Sequence, residues 1–72
     1  MADIRDQISR IIQDKAYKQS TIAQRAGMSS DQFCAILKKR RKLEANELFR
    51  VCDALRMSPE AVASYGIKKE EA

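Results

Sequence analysis

Isoleucines at positions 4, 8, 11 and 12 are separated by four, three and one, the spacing that lines one face of a 3.6-residue helix. The pattern predicts a first helix over about residues 3 to 15, with Arg5, Asp6, Gln7, Ser9, Arg10 and Gln13 on its solvent side. A second, short helix follows from Gln19 to Ala26, carrying Ile22, Ala23 and Ala26 inward and stopping at Gly27. Glycine accepts positive φ without a Cβ clash, so the chain can reverse there, and Met28 is placed to plug the core beyond the turn. Ser29-Ser30-Asp31-Gln32 has the form of a capping box, in which serine and glutamine three residues apart satisfy each other's backbone amides. It opens a third helix that turns Phe33, Ile36 and Leu37 inward, leaves Ser30, Asp31, Cys34, Ala35 and Lys38 on its other sides, and ends near Lys38 or Lys39. Leu48, Val51, Cys52 and Leu55 share one face of a fourth helix, about 45 to 56, with Glu44, Glu47, Arg50 and Asp53 outward. Ser58 before Pro59 is a helix start, predicting a fifth helix from Pro59 to Ser64. Ile67 is a further packing candidate, and Lys68 to Ala72, with no net charge and no core residue, reads as a flexible tail. The chain therefore divides into one domain, residues 1–67, and a tail, 68–72.

Composition agrees with a small all-α domain. Hydrophobic residues make up 44% of the 72 positions and charged residues 33%, with two glycines and one proline, a balance suited to packed helices and not to a disordered chain. The two cysteines, Cys34 and Cys52, fall within helical apolar patterns with no apolar signal segment before them. They are expected to be reduced thiols in a cytoplasmic protein. No run approaches the roughly 18 apolar residues of a membrane span. With no histidine, two cysteines cannot supply a tetrahedral metal site. There is also no nucleophile beside a base, no glycine-rich phosphate loop and no paired carboxylates in an apolar setting. These observations argue against an enzyme, a metal, a cofactor and a small-molecule ligand.

The charge is concentrated. Lys38, Lys39, Arg40, Arg41 and Lys42 are consecutive and account for more than the whole net charge of +4. They follow the third helix, and the second and third helices with Gly27 between them form a helix-turn-helix pattern, whose second member can enter a major groove.

Two stretches, Gln19-Ser20-Thr21-Ile22-Ala23-Gln24-Arg25-Ala26-Gly27-Met28-Ser29 and Cys52-Asp53-Ala54-Leu55-Arg56-Met57-Ser58-Pro59-Glu60, resemble the Cro/phage-repressor, or XRE-type, helix-turn-helix family. With the correct spacing between them the resemblance extends over residues 17 to 62. It implies a compact five-helix, lambda-repressor-like domain that binds double-stranded DNA as a sequence-specific transcriptional regulator, with repression the expected role and a homodimer the expected assembly. The resemblance further implies that Gln19 bonds a DNA phosphate and that Ser29, Ser30, Asp31 and Ala35 lie where the recognition helix meets bases or backbone. Ser29 suits a cap and a phosphate contact. Asp31, an acceptor only, suits a cytosine amino group, or it serves the helix dipole without touching DNA; both readings stand. Lys38, Lys39, Arg40, Arg41 and Lys42 are expected near the DNA backbone, with about two or three able to face it, since consecutive side chains diverge. Val62, Tyr65 and Ile67 are candidates for a dimer surface.

The sequence departs from the family pattern in two places. Lys39 stands where many members have glycine, so it must adopt the turn at a cost or extend the helix. The recognition surface also lacks the arginine, glutamine and asparagine that make bidentate base contacts. The alternative function on the same fold is a protein-interaction module such as an antitoxin or anti-repressor, for which a neutral or acidic surface would replace the basic run.

Overall fold

The computed structural model describes residues 3–66, and these form five helices: α1 (Ile4–Asp14), α2 (Gln19–Arg25), α3 (Ser30–Leu37), α4 (Ala45–Leu55) and α5 (Pro59–Ser64). All five lie within a residue of the spans the hydrophobic spacing predicts. None exceeds 11 residues, too short to persist alone in water, so each depends on burying one face against its neighbours. α1 packs on α3 and α5, α2 on α3 and α4, and α4 on α5. Phe33, Ile8, Ile11, Ile22, Ile36, Val51 and Val62 are the large side chains fully buried where these faces meet. Ala23 and Ala26 are also buried, and their small size lets α2 approach closely. Met28 fills the space beyond the α2 turn at 8% exposure.

Starts and stops follow local chemistry. Asp3 caps α1 by accepting the Arg5 amide at 2.9 Å. At α3, Ser29 Oγ accepts the Gln32 amide at 3.1 Å, and Gln32 Oε1 accepts the Ser29 amide at 3.3 Å, completing the capping box. Ser58 Oγ accepts the Ala61 amide at 3.1 Å, with Pro59 opening α5.

The first four helices all end in one way: a residue with left-handed φ bonds the carbonyl three back, and the next amide bonds the carbonyl five back. Ala16, Gly27, Lys39 and Arg56 hold the left-handed position, with φ of 56°, 75°, 65° and 59°. The second bond runs from Tyr17 to Ile12 (3.0 Å), Met28 to Ala23 (2.9 Å), Arg40 to Ala35 (2.8 Å) and Met57 to Cys52 (3.0 Å). Helix carbonyls that would otherwise lack partners are satisfied in this way. Only Gly27 has a residue suited to the geometry; the other three carry a Cβ into a region that disfavours it. Lys39 thus adopts the turn and does not extend the helix.

Three expectations need correction. Gln7, assigned to the solvent side of α1, is buried, and its amide donates to the carbonyls of Ala63 and Tyr65 at 3.3 and 3.2 Å, tying α1 to the end of α5. Glu47, assigned outward, is 8% exposed because it is drawn into contacts described below. Val62 is fully buried in the core, since α5 packs this residue against α1 and α4, and it cannot form a dimer surface. Tyr65 is half-buried, its hydroxyl donating to Asp14 Oδ2 at 2.9 Å. Ile67 and the tail, 68–72, lie outside the described residues.

Replacing Arg56 with glycine relieves the left-handed strain at the end of α4, and the gain is only partly offset by added freedom in the unfolded chain. Arg56→Gly is expected to stabilise the domain by about 0.5–1 kcal/mol, read as a higher urea midpoint at unchanged m-value. A lower midpoint would show that the arginine side chain makes a compensating contribution.

Candidate nucleic-acid interface

α2, Gly27 and α3 form the helix-turn-helix. Phe33 and Ile36 anchor α3 from below at 0% exposure, while Ser30, Asp31 and Gln32 are exposed and Cys34 and Ala35 are half-exposed. One edge of α3 thus presents Ser30, Asp31, Cys34, Ala35 and Lys38 to solvent. Ser29 is exposed, and its oxygen is engaged in the cap, which leaves its O–H proton available to an outside acceptor. Gln32 is equally exposed but is tied back to the Ser29 amide. Gln19 opens α2 and is exposed; with Tyr17 and Leu37 it lines an open groove of about 470 Å³, which places it beside the far end of α3.

The basic run begins where α3 stops, and its members have different surroundings. Lys38, Arg40 and Lys42 are exposed and make no ion pair among the described residues. Lys39 Nζ lies 3.0 Å from Asp6 on α1; both side chains are exposed, so this pair is weak and exchangeable. Arg41 is half-buried. Its guanidinium donates to Glu47 Oε2 at 3.1 Å, while Glu47 Oε1 accepts the Glu44 amide, also at 3.1 Å, at the start of α4. The Arg41 carbonyl in turn accepts from Arg5 Nη1 at 2.9 Å. Arg5 and Glu47 carry no sequence signal for this role, because the Arg5–Arg41 contact spans 36 positions and Glu47 reads as an ordinary solvent-facing acid.

Arg5 donates to both carboxylate oxygens of Asp3, and this holds the Asp3 carboxyl well below the usual carboxylate range. Cys34 and Cys52 are free thiols, and burial pushes the Cys52 thiol up, which makes it a poor nucleophile. No cluster of potential metal ligands occurs among the described residues, and no helix among them is long and apolar enough to cross a membrane.

Residues 7–65 match the family model described as the Cro/C1-type HTH DNA-binding domain. The chain belongs to this Cro/C1-type DNA-binding family. Its fold is similar to the solution structure of the DNA-binding domain of the P22 C2 repressor (1–76), with a TM-score of 0.79 over 99% of this chain and 92% of that one, at 14% sequence identity. A search of curated proteins gives no match. The match covers α2, α3, the basic loop and α4, while Asp3, Arg5 and Asp6 precede it. The helix-turn-helix resemblance and the five-helix lambda-repressor-like fold read from the sequence are both found.

The lowered Asp3 value sets a pH dependence. An acid with a depressed folded-state pKa adds stability above its ordinary value of about 4 and loses it as the pH falls toward the depressed one. Between about pH 5 and pH 2 the parent domain should therefore lose more stability than Asp3→Asn, by a modest amount because solvent screens the pair. Equal losses in urea titrations at the two pH values would remove Asp3 from the acid response.

Proposed function

We propose that this Cro/C1-type domain is a sequence-specific transcriptional repressor that reads the major groove of double-stranded DNA with α3, in the cytoplasm, where Cys34 and Cys52 remain thiols. The observation that carries this reading is the division of α3 and its loop into one exposed edge and one cationic end. Ser30, Asp31 and Ala35 offer small groups that can approach base edges, and Lys38 to Lys42 supply the positive charge a phosphate backbone attracts. Gln19, at the start of α2 and beside the Leu37 end of α3, is a further proposed phosphate contact. The basic loop also speaks against a protein-interaction module of the neutral or acidic kind.

Selection of sites from a random duplex library tests the reading. The expected result is a palindrome with half-sites separated by about one helical turn, and a fixed C·G pair in each half-site where Asp31 accepts from cytosine. Absence of enrichment would move the fold toward protein recognition.

Pairing of two copies is part of the proposal, because one module of this size reads a short site. With Val62 in the core, Phe49 becomes the candidate: it is a large apolar side chain left 56% exposed, on the outward face of α4. Sedimentation at tens of micromolar should show a dimer, on DNA at least, that Phe49→Ser weakens. A monomer under all these conditions would exclude it.

A further inference from the structure

Arg41 sits between two exposed cations and differs from both. Its side chain is 39% exposed and pairs with Glu47, whose side chain is only 11% exposed. Glu47 is also committed to the first turn of α4 through the Glu44 amide. On the backbone side, the Arg41 carbonyl is held by Arg5, which is itself fixed by Asp3. Both ends of Arg41 are therefore engaged, and together they fasten the middle of the basic loop to the starts of α1 and α4. One residue earlier, the Arg40 amide is bonded to the Ala35 carbonyl at 2.8 Å, which fixes Arg40 relative to the exposed edge of α3. Arg40 and Lys42 thus leave a loop whose path is fixed on both sides.

We infer that Arg41 is a positioning residue and not a phosphate contact, and that the Arg5–Arg41–Glu47 chain pre-orients Arg40 and Lys42 toward the DNA backbone. The inference rests on the reading that this loop lies against DNA. The physical argument is one of competition. To reach a phosphate, Arg41 would have to abandon a carboxylate that is nearly removed from water, leaving that charge unpaired. Arg40 and Lys42 give up only hydration and counterions, whose release favours binding. Holding the loop in place before binding also removes an ordering cost that a mobile loop would incur on each encounter.

The salt dependence of affinity separates a contact from a positioning residue. A duplex of about two helical turns carrying the selected site would be titrated with each variant across a salt series, after the folded state is checked by thermal melting. Arg40→Ala and Lys42→Ala should each reduce the slope of log K against log salt by about 0.9, the value for one phosphate contact. Arg41→Ala should leave the slope unchanged while affinity falls about threefold to tenfold, the scale of ordering one long side chain. Because Arg41→Ala strands a buried acid and can unfold the domain, the paired variant Arg41→Ala/Glu47→Gln, which keeps the net charge, leaves an acceptor for the Glu44 amide and removes the link to position 41, should give the same pattern. A slope reduced by about 0.9 in Arg41→Ala would make Arg41 a direct contact and overturn the inference. Unchanged affinity in the folded paired variant would also overturn it. If the parent protein shows no salt-dependent binding to any duplex, the DNA-facing loop itself is wrong, a failure distinct from either of these.

Discussion

An eight-residue helix has no stability of its own in water, and α3 exists because Phe33 and Ile36 are removed from water beneath it. Burying each contributes about 2–3 kcal/mol, enough to hold a segment this short once its first turn is capped. The same two residues decide what α3 can present. With its inner face committed to α1 and α2, the opposite edge must carry Ser30, Asp31, Ala35 and Lys38. The exposed edge of α3 is thus a consequence of how the helix is anchored, and a loss of packing beneath α3 would displace that edge before any of its own residues changed.

Around that anchor the molecule handles short helices by an economical rule: begin with a side-chain cap and end with a left-handed residue that lets two amides close on the helix end. The rule accepts strain at Ala16, Lys39 and Arg56, where glycine would be easier. At Lys39 the closure places the Arg40 amide on the Ala35 carbonyl and starts the basic loop from a fixed point. Glycine would allow the same turn without the added cation.

The sequence was informative about most features governed by spacing of a few residues, but not about the Glu44–Glu47 cap or the left-handed helix ends at Ala16 and Arg56. The five helices, the Gly27 turn, the Met28 plug, the Ser29–Gln32 cap and the Ser58–Pro59 start are all signalled by residues close together in the chain, so short windows contain them even though the helices need tertiary burial to persist. Family resemblance over residues 17 to 62 reinforced these signals and agrees with the Cro/C1-type match over residues 7–65. Burial assignments failed where a polar residue meets a partner that hydrophobic periodicity does not report, whether 56 to 58 positions away, as for Gln7, or only three and six, as for Glu47. Gln7 looks like a surface residue until the carbonyls at the end of α5 are brought over it, and Glu47 looks like one until Arg41 folds back onto the start of α4. Val62 reads as exposed near a chain end, yet α5 returns across α1 and buries it.

The candidate surface divides along the same line. That a run of five cations follows α3 is a property of sequence alone, and so is the polar character of Ser29, Ser30 and Asp31. Which cations are engaged within the molecule and which face outward is not, because Asp6 and Glu47 select Lys39 and Arg41 only after α1 and α4 have packed beside the loop. Periodicity and capping are short-range and fix the helices and the helix-turn-helix. The pairing of charges is a competition among groups both near and distant in sequence, six positions apart for Arg41 and Glu47 and 33 for Lys39 and Asp6, and only the tertiary structure decides it, by bringing one acid within reach of one cation while leaving its neighbours in water.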